Sequence, residues 1–188
     1  MSIKIRVYSQ ETPEEFTKAF VTEDKLETGS LNALTAACAA SLFARAAGLA
    51  PASERQEYMV RNAEILRTYF LHMVDDDVKA RSGLVKERKA GDPDRIEAAM
   101  HPACAINEEI INMLHQMLEL GVELREMLAE KDRHYLKEMA ELSLGTVKSC
   151  MAWLLDLTAS SQDETYRFVV KRENEITLAE IEALYEQY

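Results

Sequence analysis

Turn-forming residues are scarce in this chain. Its 188 residues include only 6 glycines and 4 prolines, and aromatics make up 7%, which is too little turn chemistry for a many-stranded sheet. Cysteine is scarce too. Cys38, Cys104 and Cys150 are odd in number, far apart and without CxxC or Cys/His spacing, so neither a disulfide framework nor a zinc site is expected. They read as reduced core thiols of a cytoplasmic protein. No apolar run reaches the roughly 20 residues that span a bilayer, and the opening MSIKIRVYSQ lacks the apolar stretch and cleavage site of an export signal. Positive charge is in deficit, with 22 Lys and Arg against 33 Asp and Glu and a net charge of -11. Such a field repels nucleic acid and anionic membrane surfaces, so neither is expected as a partner. Chemical signatures are missing as well. There is no G-x-S-x-G, P-loop, dinucleotide fingerprint or H-E-x-x-H, and no E-x-x-H pair of the di-iron bundle type, so no metal is expected.

What remains is helix-forming sequence with 47% hydrophobic and 29% charged residues, a balance that excludes disorder. The segment TPEEF carries a helix start: Thr12 as cap, Pro13 in the first turn and Glu15 closing a capping box. An alanine-rich segment runs from Ser30 to about Gly48, ended by Gly48 and Pro51. A third helix starts at Ser53 and carries Tyr58, Ile65, Leu66, Tyr69, Phe70 and Met73 through Asp75-Asp76-Asp77 to about Lys86. Asp92-Pro93 opens a fourth, which His101-Pro102 should kink rather than end, since Ile106, Ile110, Met113, Leu114, Met117, Leu120 and Leu124 continue one stripe. A fifth spans about Asp132 to Ser160. The last, Asp163 to Tyr188, has a restart signal at Thr177 and Glu180. IKIRVYS alternates, but a lone strand makes no sheet, so it reads as a docked arm. With no linker to divide it, the chain reads as one domain, residues 1–188: an all-α, up-down antiparallel bundle of five to six helices.

Two features stand out within that plan. Ser30, Ala33, Ala37, Ala40, Ala44 and Ala47 recur at three- and four-residue spacing, so one side of that helix presents nothing larger than a methyl group. This seam suits close approach by another helix, either of the same chain or of a second subunit across a two-fold axis. At its head, Gly29-Ser30 offers free backbone N–H groups and a serine cap, as an anion site requires; alone, this is also an ordinary helix entry. The second feature is Asp75-Asp76-Asp77, three repelling carboxylates in a helix, of which one or two at most can face a common pocket. His72, three residues before Asp75, is compatible with an acid–base pair without being specific for one. His101, His115 and His134 read as structural or surface residues, and Trp153 and the methionines as core.

Taken together, the TPEEF start, the glycine entry GSLNALTAACAASLFARAAGL, the acidic segment VDDDVKA and the prolyl break before a leucine-rich helix resemble the cyclodeaminase/cyclohydrolase family. That family comprises the carboxy-terminal domain of formiminotransferase-cyclodeaminase and the methenyltetrahydrofolate cyclohydrolases. The resemblance runs from about Thr12 to Leu157. It implies a dimeric helical bundle that acts on a C–N bond of a reduced folate in one-carbon metabolism and needs no cofactor beyond that tetrahydrofolate derivative. Asp77 stands in the place of the family's reactive aspartate. Gly29, Ser30, Asn32, Asp75, Ser143 and Gly145 are the implied substrate-binding set, the last two within LSLG, similar to a Ser-Asp-Leu-Gly motif. Leu26, Glu27 and Thr28 replace a proline and two glycines, Arg81 replaces an aromatic, and Ser143 replaces an aspartate. These departures favour a second reading, a helical dimer that kept the packing, lost the chemistry, and binds another small molecule or a protein.

Overall fold

Side-chain caps set most of the helix starts. In a computed structural model, which describes residues 6–23 and 26–188, Thr12 and Glu15 form the reciprocal capping box that opens α1 (Pro13–Thr22). Ser53 accepts from the Gln56 N–H at the head of α3 (Glu54–Ala90), and Asp92 accepts from Asp94 and Arg95 ahead of α4 (Pro93–Met127). Asp163 accepts from the Tyr166 N–H before α6 (Glu164–Tyr185). Between them lie α2 (Thr28–Ala47) and α5 (His134–Thr158). Among the described residues every regular element is helical, as the composition predicts.

Two boundaries differ from expectation. α3 runs a turn past Lys86 and ends at Gly91, whose φ of 78° is left-handed and suits a residue without Cβ. α6 is continuous through Thr177 and Glu180, because no glycine or proline there interrupts the backbone ladder. As expected, α4 does not end at Pro102. At the amino terminus, residues 3–5 of the expected arm lie outside the described residues. Tyr8–Gln10 form a 3-10 turn, docked on α3 through Asp75, which accepts from the Tyr8 N–H at 2.7 Å and the Ser9 hydroxyl at 2.5 Å.

Side-chain pairs between neighbours show that the helices alternate in direction. Ser30 at the start of α2 meets Asp77 late in α3, whereas Ala47 at its end meets Gln56. Arg55 and Tyr69 of α3 reach Glu123 and Glu109 of α4. Glu97 near the start of α4 takes Ser161 just past α5, and Lys148 and Tyr185 link α5 to α6. α2 is the central helix, packed on α3, α4 and α5 of the same chain.

That position explains the alanines. Ser30, Ala33, Ala37, Ala40 and Ala47 of the seam are buried and Ala44 half-buried, while Ala36, Ala39 and Ala46 extend burial to a second side. A helix surrounded by three others admits only small side chains on most of its circumference. The seam is thus filled from within the chain. Cys38 departs from expectation: Cys104 and Cys150 are buried, but Cys38 is exposed. Its face of α2 turns away from the seam and, with Phe16, Leu34 and Val74, lines a cavity of about 240 Å³ beside α1.

A close contact lies at Gly121 of α4. A Cβ on Gly121 would meet the Tyr188 hydroxyl at 2.2 Å and Met139 Cε at 2.8 Å. Both are ends of flexible side chains, and alanine is the better helix former by about 1 kcal/mol. Gly121→Ala is therefore expected to cost no more than about 1 kcal/mol, the value of the Tyr188 hydrogen bond to the Leu118 carbonyl. Urea denaturation checks this, and a loss of several kcal/mol would show the notch to be rigid.

Candidate functional site

The three adjacent aspartates part company. Asp75 holds the amino-terminal turn, and Asp76 is exposed and pairs with Lys79 at 2.7 Å. Asp77 is fully buried and accepts from the Ser30 hydroxyl at 2.7 Å. Successive positions on a helix point about 100° apart, so α3 sends one carboxylate to each surrounding.

Gly29 and Ser30 lie inside the first turn of α2 rather than ahead of it, because the helix begins at Thr28, with Glu27 in the cap position but its side chain not bonded to the helix N–H groups. Ser30 does not cap its own helix; its hydroxyl is used by Asp77. A Cβ on Gly29 would meet Asp77 Oδ1 at 2.2 Å and Cγ at 2.7 Å. The glycine is therefore required by the close approach of α3, and its φ is not positive. The anion at the amino terminus of α2 is the protein's own carboxylate, where the helix dipole favours it.

Burial pushes the Asp77 carboxyl up to about 6, against the Ser30 hydrogen bond and the nearby Arg81 charge, which lower it. Its Oδ1 has no hydrogen-bond partner. One turn on, Arg81 is 5% exposed, pairs through Nη2 with Glu27 and lies 4.9 Å over the Trp153 ring. Arg81 Nε and Nη1 and Trp153 Nε1 are buried without partners. Asn32 donates to Asn107 Oδ1 at 3.3 Å, and Asn107 Nδ2 is likewise unmet. The Cys150 thiol, near Asn32, is pushed far above the ordinary thiol range by burial, and Cys104 up to about 11. Neither is a thiolate at neutral pH, which removes both as nucleophiles.

Of the residues named from sequence, Gly29, Ser30 and Asp77 come together, and Asn32 is buried on the same helix against Asn107. Ser143 is buried on α5 but gives its hydroxyl to its own helix at Met139 O, 2.8 Å away. Gly145 is exposed, with nothing within 4 Å of its missing Cβ. Asp75 is engaged by the amino-terminal turn. Asn107 and Trp153 were not singled out for the site, yet Asn107 carried a signal: a lone amide within the apolar stripe Ala103, Cys104, Ile110, Ile111, Leu114. Among the described residues no cluster of three or more histidine, cysteine or carboxylate side chains has metal-site geometry.

No protein-family model matches the sequence, and no curated protein is detectably similar to it. The three-dimensional comparison is decisive where sequence is not. Formiminotetrahydrofolate cyclodeaminase from Thermotoga maritima superposes with a TM-score of 0.88 over 95% of this chain and 93% of that one, at 18% identity. The chain has the cyclodeaminase fold. Agreement over nearly the full length of both chains means that the helix order and the packing around α2 are those of the cyclodeaminase bundle. Identity this low leaves the side chains free to differ. Glu27 and Arg81 compensate each other's charge.

Proposed function

We propose that the protein is an enzyme of the cyclodeaminase/cyclohydrolase type, acting on a C–N bond of a reduced folate with Asp77 as general acid–base. The observation that carries this reading is a single buried carboxyl, raised to about 6 and with one oxygen unpartnered, at the head of the central helix of a cyclodeaminase fold. A group with a pKa near neutrality both accepts and returns a proton at working pH. In the hydrolytic direction water adds to the methenyl carbon, a carbon–nitrogen bond of the ring opens, and Asp77 carries one water proton to the departing nitrogen while the other is released to solvent as the formyl C=O forms. In the deaminating direction the aryl-amine nitrogen outside the pterin ring attacks the formimino carbon to close the five-membered ring, and the same carboxyl passes that nitrogen's proton to the amino group, which leaves as ammonia. Ser30 keeps the carboxyl oriented by its hydrogen bond, and Asn32 and Asn107 border the site.

A second reading is favoured by one observation: Glu27 and Arg81, which stand where the family resemblance implies a glycine and an aromatic, pair with each other, and Arg81 is almost wholly buried. On this reading the bundle, as a dimer, binds a small molecule or protein without turning it over. Titration with 5,10-methenyltetrahydrofolate, followed by its near-ultraviolet absorbance, separates the two. The enzyme reading expects saturable, catalytic loss of the methenyl chromophore; saturable binding with no loss selects the second reading, and no binding at all removes folate from both.

A further inference from the structure

We infer that Glu27 and Arg81 are positioning residues for Asp77, an opposed pair of charges that leaves its carboxyl able both to release a proton and to take one back. This rests on Asp77 as the general acid–base and adds what keeps it fit for both steps. Three elements meet at Arg81. It leaves α3 one turn after Asp77, pairs through Nη2 with Glu27 ahead of α2, and lies 4.9 Å over the Trp153 ring of α5. At 5% exposure its charge is poorly screened by water. Positions four apart on a helix are neighbours, yet Asp77 Oδ1 and Arg81 Nε and Nη1 make no hydrogen bond. Arg81 therefore acts on Asp77 through its field, its guanidinium held by Glu27 and Trp153 rather than by the carboxyl.

Each charge alone would spoil the acid–base group. A buried guanidinium with no other partner would close on Asp77 and hold it ionised, which makes a poor acid. Glu27 alone would add like charge and keep Asp77 protonated, which makes a poor base. Paired, the two offset each other. Burial raises the Asp77 carboxyl, the Ser30 hydrogen bond and Arg81 lower it, and Glu27 raises it. The other titratable groups around it are neutral or engaged elsewhere. Cys150 on α5 and Cys104 on α4 stay protonated at neutral pH, Asp75 is held by the amino-terminal turn, and Asp76 pairs with Lys79.

Carboxyl-carbon NMR reads the Asp77 titration directly, its resonance identified by its absence from Asp77→Asn. Glu27→Gln leaves Arg81 unneutralised and is expected to lower the titration midpoint by about one pH unit or more. Arg81→Met removes the positive charge with little change of volume and is expected to raise the midpoint by a similar amount. The double variant, with neither charge, is expected to fall between the two. A loss of packing alone would move both single variants the same way and would not be repaired in the double one. Single variants that move the midpoint in one direction or not at all, or a double variant outside the range they span, overturn the inference. Should Arg81→Met not fold, Glu27→Gln decides, since Glu27 is partly exposed and glutamine keeps its shape: a lower midpoint supports the pair, and an unchanged or higher one overturns it. In the pH–rate profile with methenyltetrahydrofolate, the limb that follows Asp77 is expected to move with the midpoint. Turnover together with any of the overturning results keeps the enzyme reading and discards this one. Opposite displacements without turnover do the reverse.

Discussion

Replacing Asp77 with asparagine is expected to yield a protein that is more stable than the wild type at pH 8 and that no longer turns over methenyltetrahydrofolate. The carboxyl moves from an ordinary 3.8 to about 6 on burial, so between these values the folded state binds the proton more readily than the unfolded one. Stability from this group therefore falls as pH rises through that window. Above pH 6 the full cost of the buried charge is present, about 3 kcal/mol, already net of the help from Ser30 and Arg81. Below about pH 4 it is gone. Asparagine keeps an oxygen for the Ser30 hydroxyl and carries no charge. For a chain of this size the gain at pH 8 corresponds to roughly 6–12 °C in Tm. Thermal melts of both proteins from pH 4 to 8 check it: the two curves should meet at the acid end and separate above pH 6. Equal Tm values at every pH would mean that Asp77 is solvated, and unchanged turnover would remove it from the mechanism.

Gly29→Ala is the other substitution with a large expected effect. On helix propensity alone it should stabilise by about 1 kcal/mol. The new methyl group, however, falls 2.2 Å from Asp77 Oδ1 and 2.7 Å from its Cγ. That carboxyl is short, buried and tied to Ser30, so it cannot swing aside as Tyr188 can beside Gly121. The helices must separate or the Ser30 bond must break, and we expect a net loss of about 2–4 kcal/mol. A double-mutant cycle with Asp77→Ala isolates the cause. If contact with the carboxyl is what matters, Gly29→Ala should be nearly neutral in the Asp77→Ala background, with a coupling of at least about 2 kcal/mol. An unchanged penalty there would place the clash elsewhere.

The helices were legible because their evidence is local. Caps at Thr12, Ser53 and Asp92 act within three residues of chain, and the structure uses all three. The stripe of α4 outlasts Pro102 because the residues on either side still bury one face. The alanine seam announced a crowded helix, though only the packing shows that three helices of the same chain surround it. The site was read less completely. Asp77 was separable from Asp75 and Asp76 by helical angle, but the choice of which one turned inward came from the family resemblance. Ser30 read as a cap and is instead the partner of Asp77, 47 positions away.

Local chemistry sufficed for the helices, their order and the small-residue strip, since hydrogen-bond ladders, caps and side-chain volume act over a few neighbouring positions. The juxtaposition of Gly29, Ser30 and Asp77, the pairing of Glu27 with Arg81 over Trp153, and the outward turn of Cys38 and Gly145 were decided only by packing. Burial and charge coupling depend on what lies across the interface, and a linear pattern carries no record of which remote residue arrives there.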